Sequence, residues 1–282
     1  MNSNISYLYL LAPLHTGGAS QEGNTVGIAR EVHTELPHLP SSTIRGRLRS
    51  STPDDEDNRV GCQQVRLWGN TIDDVNQGIF DNLIPGSLWI GNGEILWFPI
   101  SSLSHGVVWI TSPFLLRRWL RLQPFGDGNA LDIPEPGQFS GGNRESLYLK
   151  DAIFQPNELT QWDNWKDYLP SGSPEVKTIT QALVLSDANC QILIQMGLWR
   201  QVRINLGEGK TLAENAGFRY EEAIPPETLM YFPWGPTTSC NGSANSACQE
   251  LITILDQQDT WQFGGQESLG RGLVEVWTPP LT

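Results

Sequence analysis

The chain has 282 residues, of which 39% are hydrophobic, so it can bury the core of one large domain or two small ones. It contains no apolar run near the roughly 20 residues that a membrane span needs, and its polar first residues lead us to expect no secretory signal. The net charge of −13 argues against a nucleic-acid-binding protein, because such proteins are usually basic, at least locally.

Strand-like and helix-like patterns are interspersed along the chain. In the first half they predict a strand at Ile5–Pro13, a flexible loop at Gly17–Gly27, a first helix at Ser41–Ser51, two or three strands within Leu88–Thr111 and a helix that begins at Pro113. In the second half they predict a helix at Asp187–Met196, strands at Gln201–Asn205, Phe218–Glu222 and Leu229–Phe232, and a helix at Ser243–Leu255. Strands and helices that do not alternate strictly point to an α+β fold.

One stretch breaks this pattern. The region around 123–180 is rich in Gly, Pro, Asn and Asp and contains only short strand-like pieces such as Ser146–Lys150. It is therefore predicted to be an insertion rather than part of the core.

The first helix carries an unusual row of polar side chains. Pro37 and Pro40 prevent a helix from starting earlier. Ser41, Ser42 and Thr43 then offer hydroxyl groups at the helix N-terminus, and Arg45, Arg47 and Arg49 follow at once. Hydroxyls, unpaired backbone N–H groups and a row of arginines suit a phosphate ligand. The alternative is an ordinary capped surface helix.

A glycine-rich segment near the C-terminus suits the same ligand. Residues Gln262–Gly272 contain four glycines within nine residues, with Arg271 between the last two, and a strand-like run follows. Glycines let the backbone approach a polyanion closely. The segment lacks the Gly-Lys-Ser/Thr of a nucleotide P-loop and opens no helix, so it is not a dinucleotide motif. The alternative is a tight turn before a final strand.

The four cysteines show no metal-binding spacing. Cys62, Cys190, Cys240 and Cys248 are predicted to be free thiols, because nothing in the sequence indicates a secreted protein. We therefore expect a cytoplasmic location.

Several motifs in a shared order resemble one family. They are Tyr9–Gly17, Ile28–Thr34, Leu39–Gly46, Glu94–Ile100, Val108–Pro113, Arg203–Asn205, Tyr220–Leu229 and the final glycine segment. Together they resemble the RAMP superfamily of CRISPR-associated proteins, and within it the repeated backbone subunit of type III-B (Cmr) effector complexes.

The resemblance implies one domain over residues 1–282, with an RRM-like (ferredoxin-like) core and inserted loops and hairpins. It implies a subunit that polymerises along a CRISPR RNA in antiviral defence. The partners would be CRISPR RNA, target RNA, further copies of the chain and other effector subunits, including the large polymerase-like one, with no membrane. The residues it places near guide phosphates are Ser42, Arg45, Arg49, Gly265, Gly270 and Arg271. The region around 123–180 would be a thumb-like insertion that displaces a base, with Tyr148 or Trp162 as the wedge.

The chain departs from this family at one position. Active members carry an aspartate eight residues before the His-Thr pair, and here Thr25 occupies that position before His33. Threonine neither ligates Mg²⁺ as a carboxylate does nor acts as a base near neutral pH. Nuclease activity is therefore predicted to be lost or weakened, and no metal site is predicted.

Other polar positions expected from the family are present. They are His15, Tyr220 and Glu227, which would support a site without replacing its acid. Glu22 is the nearest carboxylate that a shifted loop could bring in, and in an active nuclease it would work with Mg²⁺. His15 is expected to be a loop residue near RNA, and Glu227 could equally be a structural carboxylate.

An RNA-binding function has to be reconciled with the acidic composition. The acidic residues of the loop at Thr52–Asn58 are expected to lie away from the two arginine-bearing segments. The arginines that could form one basic face are Arg45, Arg47, Arg49, Arg117, Arg118, Arg121 and Arg203. Within a filament one copy does not need to bind RNA tightly alone, so we expect weak RNA binding by the isolated protein.

Three functions remain open from the sequence. The first is a guide-RNA-binding scaffold subunit that no longer cuts its target. The second is an active metal-dependent target-RNA endoribonuclease that uses Glu22. The third, which composition alone allows, is a carbohydrate-binding or structural β-rich protein.

Overall fold

The computed structural model describes residues 3–18, 21–22, 25–55, 57–123, 131–204, 218–238 and 244–280, with the backbone alone for residues 21 and 22. These residues contain six α-helices: α1 (Ser41–Ser51), α2 (Gln63–Trp68), α3 (Ile72–Asn76), α4 (Pro113–Leu120), α5 (Asp187–Gly197) and α6 (Ala244–Leu255). No helix within these ranges is long and apolar enough to cross a membrane.

The same residues form sixteen strands. They are β1 (Asn4–Leu10), β2 (Gln21–Glu22), β3 (Thr25–Val26), β4 (Leu88–Ile90), β5 (Glu94–Ser102), β6 (Gly106–Thr111), β7 (Gln138–Phe139), β8 (Leu147–Tyr148), β9 (Ile153–Phe154), β10 (Thr160–Gln161), β11 (Ala182–Val184), β12 (Trp199–Ile204), β13 (Phe218–Ala223), β14 (Leu229–Pro236), β15 (Trp261–Gln262) and β16 (Leu273–Trp277).

Ten of the strands form one mixed sheet in the order β10-β7-β11-β6-β5-β14-β1-β16-β15, with β4 also paired to β14. Strand β1 is central and lies antiparallel to both β14 and β16. A smaller sheet has the order β12-β13-β3-β2, and β8 and β9 form a separate hairpin. The α+β prediction is confirmed.

The large sheet is buried on both faces. On β1, Leu8 and Leu10 belong to one hydrophobic cluster, whereas Tyr7 and Tyr9 belong to a second. Successive side chains of a strand point to opposite faces, so the two clusters lie on opposite sides of the sheet. Helices α1, α5 and α6 supply buried residues to the first cluster. Helix α4 and part of the region around 123–180 supply the second.

Part of the region around 123–180 belongs to the core, contrary to the expectation from composition, whereas its status as a thumb-like insertion stays a prediction. Its strands β7 and β10 extend the large sheet. The side chain of Trp162 is 1% exposed, and its ring lies near Trp97 and Tyr168, with centroid distances of 6.1 and 5.2 Å. Trp162 therefore packs in the protein interior and cannot act as a wedge between bases. Tyr148 is 43% exposed on β8.

Most predicted elements are confirmed, with small shifts at their ends. Helix α1 has the predicted bounds, and α4 begins at Pro113 with Ser112 as its cap. Strand β1 ends at Leu10, because the backbone N–H groups of Leu11 and Ala12 turn to the carbonyl of Leu273. The predicted loop at 17–27 contains the two-residue strands β2 and β3. Cys62 and Cys190 are free thiols as predicted, whereas Cys240 lies outside the described residues.

Candidate nucleic-acid interface

The glycine-rich segment packs against the loop that follows β1. The backbone N–H of Gly265 donates to the carbonyl of His15 at 2.9 Å, and that of Gly272 donates to Pro13 at 2.9 Å. Gly264 has a φ of +78°, and a Cβ there would lie 2.3 Å from the carbonyl oxygen of His15. This close approach, together with the left-handed backbone, requires glycine. The two segments therefore form one compact surface.

Two glycines of the segment are not explained by packing. Gly265 and Gly270 are exposed. Gly270 has a φ of +70°, and a Cβ there would meet nothing within 4 Å. The backbone is therefore open to a ligand at the positions that the sequence analysis predicted to be near phosphates.

Arg271 is held inside the protein. Its side chain is 3% exposed, its Nη2 lies 3.1 Å from the Glu221 carboxylate, and it donates to Gln201 at 3.1 Å. The guanidinium also lies over the ring of Trp199, 4.6 Å from the centroid. Burial lowers the pKa of Arg271, and Glu221 opposes that change. In this structure Arg271 fixes the glycine segment to the smaller sheet, and its predicted contact with RNA stays a prediction.

Glu221 is the centre of a group of arginines. Its carboxylate is fully buried and lies within 3.1 Å of Arg203, Arg219 and Arg271. Its Oε2 lies at ion-pair distance from Arg203 and Arg271, although it accepts no well-aligned hydrogen bond. Because one buried carboxylate meets three guanidinium groups, positive charge is in excess at this point.

Glu222 lies on the opposite face of β13 from Glu221 and forms ion pairs with two further arginines. One carboxylate oxygen lies 2.7 Å from Arg30 and the other 3.0 Å from Arg200. Glu222 is 6% exposed, so its position is fixed by packing. Residues Arg30, Arg200 and Arg219 were not among the predicted site residues. The signal that could have found them is the opposite charge of Arg200 and Glu222 in the paired strands β12 and β13.

The arginines of α1 form a further cationic surface. Arg45 donates to the carbonyl of Trp68, and Arg47 lies over the ring of Trp261 at 6.0 Å. Two buried nitrogens, Arg47 Nε and Arg49 Nη2, have no hydrogen-bond partner. Burial and the charges of Arg45 and Arg59 lower the pKa of the Arg49 guanidinium. Buried donors normally find an acceptor, so this surface suits an anionic ligand.

The N-terminus of α1 differs from the prediction in one respect. The backbone N–H of Ser41 donates to the side chain of Asn92 at 2.9 Å, so this donor is not available to a ligand. No side chain caps the helix, and Ser42 is exposed. The hydroxyl of Ser42 therefore remains accessible, as its predicted contact with phosphate requires.

Thr25 lies in a pocket lined by charged side chains of both signs. It belongs to β3, where it pairs with Tyr220 of β13. The pocket has a volume of about 810 Å³, and its charged lining residues are Arg30, Arg200, Glu35 and Glu222. The side chain of Arg200 is 55% exposed. The pocket at the family aspartate position thus presents a hydroxyl, two guanidinium groups and two carboxylates.

These groups do not fit a divalent cation. Mg²⁺ takes oxygen ligands, chiefly carboxylates, carbonyls and water, whereas both carboxylate oxygens of Glu222 are already bound by Arg30 and Arg200. Among the described residues, no group of three His, Cys, Asp or Glu side chains is arranged to hold a metal ion. The side chain of Glu22 lies outside what the structure describes, so its predicted role in an active nuclease stays a prediction.

His15 and Glu227 both have structural partners. His15 is 6% exposed, and its Nδ1 lies 2.8 Å from the carbonyl oxygen of Glu222. The carboxylate of Glu227 accepts a hydrogen bond of 2.5 Å from Tyr9. Burial and this carboxylate raise the pKa of the Tyr9 hydroxyl. Glu227 also has a φ of +67°, and its backbone joins Leu10 and Trp109. It therefore holds the turn between β13 and β14.

The predicted single basic face is only partly present. Arg118 lies 2.6 Å from both Glu31 and Glu94, which neutralise it. Burial opposes ionisation of Glu31, but hydrogen bonds from Arg118 and Thr34 outweigh it and lower its pKa. Arg203 is paired with Glu221, whereas Arg117 and Arg121 are exposed. The prediction considered only the arginines, and it did not foresee the ion pairs that Arg118 and Arg203 form with glutamates elsewhere in the chain.

The sequence matches known proteins over nearly its whole length. The model of the RAMP superfamily matches residues 7–275. The Cmr endoribonuclease Cmr4 of Pyrococcus furiosus is 25% identical over 299 residues, which cover 100% of this chain and 97% of the relative.

Solved structures of similar fold include two from Cmr systems. Oligomeric Cmr4 from Pyrococcus furiosus superposes with a TM-score of 0.72 at 21% identity, covering 100% of this chain and 99% of the other. A chain of the type III-B Cmr-beta complex bound to cognate target RNA gives 0.70 at 18% identity, covering 98% and 96%. These likenesses show the fold. Since the family model spans almost the entire sequence, the chain belongs to the RAMP superfamily.

Proposed function

We propose that this chain is a CRISPR RNA-binding backbone subunit of a type III effector complex, which positions guide and target RNA without cutting the target. The observation that carries the proposal is the pocket at Thr25. A relative is named an endoribonuclease, but here the family acid is replaced by a hydroxyl beside Arg30 and Arg200. Without the family aspartate, neither metal binding nor deprotonation of a ribose hydroxyl has its main group, because both carboxylate oxygens of the neighbouring Glu222 are bound by Arg30 and Arg200.

Guide binding is assigned to two surfaces, the glycine segment and the arginines of α1. Gly265 and Gly270 are exposed and carry no side chain, so a phosphate can approach the backbone closely there. Arg45 and Arg49 of α1 add cationic donors, with one buried nitrogen of Arg49 still lacking a partner. Ser42 supplies a hydroxyl at the start of α1. Arg271 acts by positioning the glycine segment through Glu221.

The proposed architecture and partners follow the same family. The central antiparallel strands β5, β14, β1 and β16, with α1 and α6 packed on them, are compatible with an RRM-like core. Further copies of this chain would continue the backbone along the guide, and the other effector subunits, including the large polymerase-like one, would complete a cytoplasmic complex.

The experiment is a cleavage assay on the complete complex. The effector complex is assembled with its guide and incubated with complementary target RNA and Mg²⁺, and fragment lengths are read on a gel. The wild type should leave the target whole, and Thr25→Asp should restore cuts at regular intervals. If the wild type cuts at those intervals and Glu22→Ala stops the cutting, the chain is a nuclease and the proposal is wrong.

Guide retention tests the other half of the proposal. RNA extracted from the purified wild-type complex should contain a guide of defined length. Arg49→Ala should lower the guide content, because removing a cation that faces a phosphate weakens binding in a salt-dependent way. Arg117→Ala is the control, since Arg117 is exposed on α4 and belongs to neither proposed surface. An equal decrease of guide content in both variants would contradict the assignment of α1.

A further inference from the structure

The hairpin formed by β12 and β13 has one face that differs from the usual surface of a water-exposed sheet. The pairing places Arg200 opposite Glu222, Val202 opposite Tyr220 and Ile204 opposite Phe218. Side chains two apart in a strand share a face, so these six lie on the same side. Four of them are large and apolar, with exposed fractions between 42 and 51%.

This face leads into the pocket at Thr25. Tyr220 pairs with Thr25 and lines the pocket, as do Arg200 and Glu222. The rings of Phe218 and Tyr220 meet edge to face, with centroids 5.7 Å apart. An exposed aromatic pair therefore lies next to the pocket that Arg200 lines.

The cationic side chains of the pocket are held in position. Glu222 gives one carboxylate oxygen to Arg200 and the other to Arg30, and Arg30 also donates to Gln195. Only the Nε of Arg200 takes part in its pair with Glu222, and 55% of the side chain is exposed. Its two terminal nitrogens can thus bind an incoming acceptor without breaking the contact with Glu222.

The guanidinium of Arg200 provides the donors for an anion. On the pocket side of β13, Arg30 and Arg200 pair with Glu222, and Glu35 also lines the pocket. The three arginines that surround Glu221 lie on the other face of the strand. A guanidinium with free donors binds phosphate strongly, and aromatic rings beside such a group provide a stacking surface for bases.

We propose that Arg200 and Tyr220 form a subsite that holds one phosphodiester and the adjacent base of the target RNA in the pocket beside Thr25. Arg200 binds the phosphate, Tyr220 stacks on the base, and Glu222 orients Arg200. The subsite therefore slows the release of the target RNA from the complex. This inference rests on the proposed function, because it requires that the complex carries a guide to which the target pairs.

The test is the release of target RNA from the assembled complex. Labelled complementary RNA is bound, and its dissociation rate is measured at several salt concentrations in excess unlabelled target. Arg200→Ala should raise the dissociation rate by about 5- to 10-fold, and it should lower the slope of log affinity against log salt by about one. Tyr220→Ala should raise the rate by about 5-fold or more, while Tyr220→Phe should stay near the wild type, because stacking is kept.

Arg66→Ala is the matched control. Arg66 is 48% exposed and pairs with Glu250, as Arg200 is 55% exposed and pairs with Glu222, but it lies on α2. It should release target at the wild-type rate. Guide content is measured in every variant, since it reports assembly. If the Arg200→Ala complex fails to assemble, Tyr220→Ala decides the outcome.

The result that overturns the inference differs from the failure of the proposed function. A wild-type complex that contains no guide RNA contradicts the proposed function. Normal guide content with wild-type target release in Arg200→Ala and Tyr220→Ala contradicts the subsite alone. Loss of guide from Arg200→Ala and Tyr220→Ala, with Arg66→Ala intact, overturns the assignment to target RNA.

Discussion

The guanidinium of Arg271 lies 3.1 Å from the carboxylate of Glu221, and both side chains are almost completely buried. This ion pair connects the segment between β15 and β16 to the centre of β13. It joins two parts of the chain that are far apart in sequence and that both border the candidate RNA surface.

Arg271→Ala should therefore lower the free energy of unfolding by about 2–3 kcal/mol. The loss is smaller than for a fully isolated buried charge, because Arg203 and Arg219 still face Glu221. Chemical denaturation monitored by tryptophan fluorescence measures it. Arg219→Ala is the control: Arg219 contacts the same carboxylate but is 56% exposed, so its loss should be about 1 kcal/mol or less. Wild-type stability of Arg271→Ala with weakened guide binding would instead support direct RNA contact.

The glycines of the C-terminal segment should differ in their response to a methyl group. Gly264→Ala should lower stability by more than about 2 kcal/mol, since the new Cβ would lie 2.3 Å from a backbone oxygen and the φ is +78°. Gly270→Ala meets open space at a φ of +70°, so it should cost only about 1 kcal/mol. Thermal unfolding measures both. Equal effects would mean that the contact with His15 does not determine the conformation of the segment.

The sequence predicted the elements whose signals are local. Pro40 before Ser41–Ser51 set the start of α1, and Ser112 before Pro113 set the start of α4, because proline and capping hydroxyls act within one turn of a helix. The order of motifs across the chain was enough to indicate the family, which the matching family model shows.

The candidate site was predictable only in part, because its chemistry depends on distant contacts. The substitution at Thr25 was visible as a position in a motif. The arginine pair beside it was not, because Arg30 and Arg200 meet through Glu222 only after β12, β13 and β3 have paired. The same reason explains Arg271, whose charge alone suggested an exposed ligand although its partner Glu221 buries it.

The region around 123–180 was misjudged for a related reason. Its strands are only two residues long, and they are fixed by pairing, not by their own hydrophobic pattern: β7 pairs with β11 of the large sheet, β10 with β7, and β8 with β9. Short strands give little periodicity, so composition dominated the prediction. Its buried tryptophans pack in the second hydrophobic cluster, which covers one face of that sheet, and this contact cannot be read from the local sequence.

Trp162 and Tyr148 should separate packing from RNA contact within this region. Trp162→Ala should lower stability by about 3–5 kcal/mol, because the side chain is 1% exposed and packs on Trp97. Tyr148→Ala should change stability by less than about 1 kcal/mol, since Tyr148 is 43% exposed. Denaturation of both variants gives these values. If Tyr148 is a thumb residue, as the sequence analysis predicted, its variant should alter target binding with stability unchanged.

The ion pair of Arg59 and Asp74 should make stability fall in acid. Arg59 Nε lies 2.9 Å from Asp74, whose carboxylate also accepts the N–H of Thr71 in a capping box at the start of α3. The hydrogen bond from Arg59 is the main cause that lowers the pKa of Asp74, and it outweighs burial. A carboxylate with a lowered pKa stabilises the fold above its unfolded pKa, near 3.9, and this contribution is lost as the pH falls towards the folded pKa.

Asp74→Asn should therefore lower the free energy of unfolding by about 2 kcal/mol at pH 7, and the difference from wild type should shrink below about pH 4. Unfolding free energies between pH 3 and 7 measure this dependence. Asp73→Asn, an exposed neighbour in the same turn, should cost less than about 0.5 kcal/mol. A constant difference between Asp74→Asn and wild type across this range would show that the charge of Asp74 contributes nothing.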